Sequence, residues 1–169
     1  MDRRQMMRNE QTLLARALAL WTGLARGLDA LQPAAALAAR CYLGQVFFLS
    51  GLTKVRDWDT TLALFTDEYK VPLLPPAVAA LAGTAGELLL PVLLVLGLGG
   101  RFAALGLSVV NAVAVVSLQE IAPAALQQHV FWGSLLAAVA IYGPGPWSLE
   151  RLVWPRLAGP AAAPRQLTS

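Results

Sequence analysis

The sequence predicts an all-α fold, a four-helix transmembrane bundle with an N-terminal amphipathic surface helix. Three observations carry the prediction. The 169-residue chain is 57% hydrophobic and 14% charged, where a soluble domain carries about 25% charged residues. Its mean hydropathy is +0.57. Its apolar residues gather in four runs, and each is about as long as a helix rising ~1.5 Å per residue needs to cross a ~30 Å hydrocarbon core.

The chain opens on a basic stretch with Arg3, Arg4 and Arg8. The run that follows, QTLLARALALWTGLARGL, is broken by Arg16 and Arg26 before an apolar core of adequate length forms, which argues against a cleaved signal peptide. Leu14, Leu18, Trp21, Leu24, Leu28 and Leu31 recur at helical spacing with the arginines between them. That pattern predicts a helix over residues 10–31 lying on the membrane surface, with Trp21 in the headgroup layer. A docking helix for a soluble partner is the other reading. Pro33 is expected to end the helix, so residues 1–33 form an interfacial, cytoplasmic segment.

Residues 34–152 make the transmembrane domain. Its first span covers about 34–53, AAALAARCYLGQVFFLSGLT, with Arg40 near its start. A polar loop follows, closed by Pro72, Pro75 and Pro76. Within it Trp58, Leu62, Phe65 and Tyr69 fall at i, i+4, i+7 and i+11 with acids opposite. That spacing predicts a short amphipathic helix, either a lid over the bundle mouth or an interfacial anchor. The second span covers about 77–98, and the turn GLGGR leads to a third at about 102–118. QEIAPAALQQ connects to a fourth at about 126–142. Residues 153–169, rich in alanine and proline, are expected as a disordered cytoplasmic tail.

Four spans put both termini on one side. Of the 13 basic residues, those on the terminal side are Arg3, Arg4, Arg8, Arg16, Arg26, Arg40, Arg101, Arg151, Arg156 and Arg165. The opposite loops carry Lys54, Arg56 and Lys70 against Asp57, Asp59, Asp67, Glu68 and Glu120. The positive-inside rule then places both termini in the cytoplasm.

Composition also excludes functions. A net charge of +3 in so apolar a chain does not fit nucleic-acid binding. One cysteine, Cys41, cannot form an internal disulfide, and there is no CxxC or zinc-type cluster. Cys41 is expected as a small buried hydrophobe. One histidine, His129, excludes bis-histidine haem. Neither a P-loop, a Rossmann fingerprint nor a nucleophile–base pair occurs.

The polar residues inside the spans are the candidates for function. Glu87 is the only ionisable group from Ala77 to Gly100. A charge near the middle of a spanning helix costs roughly 2.5–3.5 kcal/mol on insertion scales, so Glu87 needs a partner, a proton or a task. Arg40, Phe47, Gly51 and Lys54 form one stripe of the first span. Asn111 sits near mid-depth of the third, with Ser108 one turn away. Gln127, Gln128 and His129 begin the fourth. Depth favours Asn111 as the partner of Glu87, while Arg40 and Lys54 can reach it from either end. Arg40, Lys54, Glu87, Asn111 and His129 are therefore the candidate ligand-binding residues, with Glu87 the candidate for proton chemistry. Alternatively, they lock the bundle together.

LAARCYLGQVFFLSGLTKVRDW, GTAGELLLPVLLVLGLGGR and YGPGPWSLERL together resemble the DoxX family of small four-helix membrane proteins. The anchors are Arg40, Gly51 with Lys54, Glu87, Arg101 and the closing GPG-x-x-S-L at 143–149. The resemblance implies a membrane subunit of the kind named after a thiosulfate:quinone oxidoreductase. The loop GLTKVRDWDTTLALF…YKVPLLPP is similar to the DoxX subgroup encoded beside DUF692-type peptide-modifying enzymes, in neighbourhoods that make metal-responsive, copper-binding peptides.

Three functional classes follow. The first is the membrane subunit of a quinone-linked oxidoreductase or copper-stress system, with a quinone-like ring near Glu87, Arg40 and Lys54. The second is a non-catalytic scaffold holding a soluble or modified-peptide partner at the lipid bilayer. The third is a small permease, which would work as a homo-oligomer.

Overall fold

The computed structural model describes the backbone of residues 3–157 and the side chains of residues 13–153. The chain order is α1 Arg3–Arg56, α2 Trp58–Asp67, α3 Pro76–Leu96, α4 Gly100–Ser117, α5 Pro123–Tyr142 and α6 Leu149–Leu157, with no strand among the described residues. Four of these helices, α1, α3, α4 and α5, are long and apolar enough to cross a membrane. The chain is an all-α, multi-pass integral membrane protein.

It divides into two compact units, Met1–Ala35 and Ala36–Ser169. In the first unit the large apolar side chains Leu13, Leu14, Leu18, Leu20, Trp21, Leu24, Leu28 and Leu31 are all exposed. Pro33 does not stop the helix, contrary to expectation; α1 runs through it. A proline removes one backbone donor and crowds the carbonyl four residues back, but the flanking stretch AAALAA has among the best helix formers and carries the helix onward.

In the second unit the core gathers Leu43 and Phe47 of α1, Leu94 of α3, Ala103, Ala104 and Leu107 of α4, and Leu136 and Val139 of α5. Outward-facing positions are apolar too, among them Leu89, Phe102, Leu105, Val109, Val130 and Ile141. That is the surface a lipid solvent requires. Cys41 is among the exposed residues, not buried as expected. Arg40 takes the inward position, and the next residue of a helix lies about 100° round from it.

The α3–α4 turn uses its glycines for their conformation. Gly97 (φ 67°) and Gly99 (φ 55°) lie in the left-handed region, and Leu98 N–H donates to Leu93 O at 3.0 Å, closing α3 in a Schellman arrangement. Glu150 of α6 places Oε2 3.2 Å from Gly100 N–H, a carboxylate at the electropositive start of α4. Here the expectation of a disordered tail from residue 153 is corrected, since α6 continues to Leu157. LERLVW is rich in helix formers and has an acid in its first turn, which favours that continuation. The expectation for residues 158–169 lies outside the described residues.

Candidate functional site

Glu87 sits midway along α3 and Lys54 on the last turn of α1. Lys54 Nζ donates to Glu87 Oε2 at 2.5 Å and to Ser50 Oγ, one turn earlier, at 3.1 Å. Gly51 allows the approach. A Cβ at that position would lie 2.9 Å from the Leu88 side chain and 3.1 Å from Glu87 Cβ, so any larger residue would push α1 off α3. Glu87 Oε1 accepts no hydrogen bond from the described residues.

The pair closes one end of a cavity of about 210 Å³. Its other walls are apolar: Ala79, Ala82 and Gly83 of α3, Val109, Val110, Val113 and Ala114 of α4, and Phe65, Val71 and Leu74 from α2 and the segment after it. Tyr69 and Ser117 add two hydroxyls to the lining. Val109 and Leu74 of this lining are themselves exposed, so the cavity is open to the surface beside them.

α2 roofs this cavity for local reasons. Asp57 caps it, accepting from Thr60 N at 3.0 Å and Thr60 Oγ1 at 2.8 Å. These bonds to the charged form hold the Asp57 carboxyl below the usual carboxylate range. Thr61 Oγ1 donates to Lys54 O at 3.0 Å, which satisfies an α1 carbonyl that has no partner within the helix. Phe65 packs on Ala79 and Ala80, with Tyr69 and Val71 against the same cluster. Lys70 N–H donates to Ser117 O at 2.8 Å and fastens the roof to the end of α4. Burial, then the negative charges of Glu87 and Glu68, raise the Tyr69 phenol above its ordinary value. Tyr69 therefore stays protonated and can donate into the cavity.

The remaining candidates lie elsewhere. Arg40 is fully buried and donates to Leu94 O at 3.4 Å, Val95 O at 2.8 Å and Trp147 O at 2.5 Å. It stands at the C-terminal carbonyls of α3, where a cation is favoured, about 21 Å along the helix from Lys54. Asn111 is not the partner of Glu87. Its Nδ2 donates to His129 O at 3.0 Å and its Oδ1 faces His129 Nδ1 at 2.8 Å. Depth alone favours Asn111. Azimuth decides otherwise, because Val110 faces the cavity and Asn111, about 100° further round α4, faces α5. With the Asn111 amide so oriented, His129 Nδ1 carries the proton. The His129 ring meets Trp132 edge-on at 5.0 Å between centroids, and neither residue lines the cavity.

The site thus unites Lys54 and Glu87, while Arg40, Asn111 and His129 make their hydrogen bonds elsewhere in the bundle. Sequence reasoning missed Ser50, which its position one turn before Lys54 could have flagged. It also missed the valine wall of α4, which no sequence signal separates from lipid-facing valines.

Comparison with known proteins finds a family match. The family model described as DoxX matches residues 35–120, just over half of the chain. No curated protein and no solved structure matches.

Proposed function

The chain belongs to the DoxX family, and from that premise we propose that it is the membrane subunit of a quinone-linked oxidoreductase, with the cavity beneath α2 seating the quinone ring. The observation that carries this reading is a mostly apolar cavity, open to the surface beside Val109, with the Lys54–Glu87 pair in its lining. An apolar cavity of ~150 Å³ is enough to hold a benzene ring. A cavity of about 210 Å³ therefore suits one substituted ring and is too small for a drug-sized ligand, while the opening past Val109 leaves an isoprenoid tail in lipid.

A quinone supplies two-electron, two-proton chemistry when bound. The protein's part is to orient the ring and handle its protons. Lys54 and Tyr69 offer donors to a ring oxygen. Glu87 Oε1, free of other partners among the described residues, accepts a proton from a ring hydroxyl or returns one. Phe65, Val110 and Val113 keep water from the ring faces.

The system served is read as a metal-stress pathway, on the similarity of GLTKVRDWDTTLALF…YKVPLLPP to the subgroup beside DUF692-type enzymes. The location is a bacterial inner membrane, with both termini in the cytoplasm. A scaffold for a soluble or modified-peptide partner is the second reading, since the exposed apolar side chains of residues 13–31 form a face that either lipid or such a partner covers.

The deciding measurement titrates a short-chain quinone into the purified protein in lipid nanodiscs and follows the difference spectrum. Saturable binding that a cavity-filling Val113→Trp abolishes, with helicity unchanged, supports the ring site. Uptake equal to that of empty nanodiscs rejects it in favour of the scaffold.

A further inference from the structure

Gln45 lies in the spanning part of α1, five residues and so ~7.5 Å along the helix from buried Arg40. It is exposed and hydrogen-bonds to none of the described side chains or carbonyls. Beside it runs an apolar groove of about 290 Å³, formed with Gly44 and Phe48 of α1 and Pro91, Val92 and Val95 of α3. No residue of this groove lines the cavity at Glu87. A primary amide facing hydrocarbon without a partner is costly. Serine or threonine would at least return its hydroxyl to the helix's own carbonyls, as Ser108 and Ser134 do here. The Gln45 amide makes no such bond.

We propose that this α1–α3 face is where a second copy of the chain docks, with the two Gln45 amides hydrogen-bonded to each other across the interface. Two copies inserted in the same orientation are related by a two-fold axis along the membrane normal. Residues of α1 near that axis then face their own counterparts. An amide carries both donors and an acceptor, so glutamine is self-complementary in this arrangement, and polar side chains of this kind join helices in lipid. An acyl chain could fill the groove but offers the amide nothing. Cys41 is exposed one turn before Gln45 on the same face, so the two Cys41 thiols come close in the dimer.

Cys41 is the only cysteine, which makes the full-length protein its own reporter. A short bis-maleimide added to membranes containing the protein is expected to give a covalent dimer through Cys41. It is expected to give none when Cys41→Ala is combined with Leu105→Cys, an exposed position on α4. Subunit exchange between fluorescently labelled copies in liposomes should show Gln45→Leu weakening the dimer about threefold to twentyfold, the range that hydrogen bonds between membrane helices give. Four outcomes would overturn the proposal. They are a monomer at every lipid dilution, equal cross-linking at Leu105→Cys, a Gln45→Leu dimer as tight as the original, and cross-linking of Cys41 to a different protein.

Discussion

Lys54 and Glu87, 33 positions apart, form one ion pair whose geometry depends on the missing side chain of Gly51. Their side chains are 20% and 10% exposed. A pair at this depth is not a surface salt bridge of ~0–1 kcal/mol. Removing one member of a buried pair costs about 3–5 kcal/mol, because the other charge is left stranded. The pair also cannot be separated from the cavity it closes, so structural and chemical roles must be told apart by substitution.

Glu87→Gln makes that separation. The amide oxygen still accepts from Lys54, so the protein should insert and fold, with thermal unfolding in detergent shifted far less than in Lys54→Met. Quinone binding should persist within a few fold while proton uptake coupled to quinone reduction disappears. A Glu87→Gln protein that still takes up protons would leave the carboxylate a purely structural role.

Arg40→Lys should behave in the opposite way. Arg40 reaches carbonyls of α3 and of the segment before α6 with one planar fork, and an ammonium cannot span both. Losing one or two charge-assisted bonds predicts destabilisation of about 1.5–3 kcal/mol per bond, with quinone affinity unchanged. Altered quinone affinity at equal folded fraction would bring Arg40 into the site after all.

The roof of the cavity is predicted to loosen in acid. The Asp57 carboxyl is held below its usual range by Thr60, so its folded pKa lies below its unfolded one. Its contribution is then fully present above the unfolded value and fades as pH falls through the folded one. Hydrogen exchange over Trp58–Asp67 should accelerate as pH is lowered through the carboxylate range, after correction for intrinsic rates. Asp57→Asn, which still caps, should remove that pH dependence, and Asp57→Ala should leave α2 exchanging fast at every pH.

The fold was legible because lipid imposes a simple pattern. Four apolar runs of spanning length separated by prolines and glycine turns leave few alternatives to helices. Local stops were less legible. Pro33 and the Ala/Pro-rich end marked breaks by composition, yet neighbouring helix formers carried α1 through Pro33 and α6 to Leu157. For the site, the isolation of Glu87 in an apolar run announced a partner, and the stripe containing Gly51 and Lys54 held it. Depth along a helix can be read from sequence. Azimuth within a bundle cannot when every face is apolar, which is why Asn111 was favoured and Val113 overlooked.

Both termini are predicted on one side of the membrane, the side holding ten of the 13 basic residues. Reporter fusions at Ser169 and in the loop near Leu62 should give opposite locations. A periplasmic signal from Ser169 would contradict the four-span topology as well as its orientation.

The last prediction concerns residues 13–31. At 100° per residue, the leucines Leu13, Leu14, Leu18, Leu20, Leu24, Leu28 and Leu31, together with Trp21, fall within an arc of about 160°. Arg16, Thr22, Arg26 and Asp29 occupy the remainder. A stripe this wide, exposed along its whole length, is broader than a coiled-coil seam and suits a helix half-sunk in the headgroup region. A bilayer needs only ~20 residues of helix, and the DoxX match starts at residue 35, so this segment is surplus to the crossing. Spin labels in reconstituted protein test the reading directly. A label at Leu24 should be reached by oxygen dissolved in lipid, and one at Arg26 by a water-soluble nickel chelate. Replacing Leu24 by Glu should release the segment from vesicles while the four spans stay inserted. If both labels are shielded from the chelate, the segment crosses the bilayer; if both are shielded from oxygen, it docks on a soluble partner. Either result would falsify the surface-helix reading.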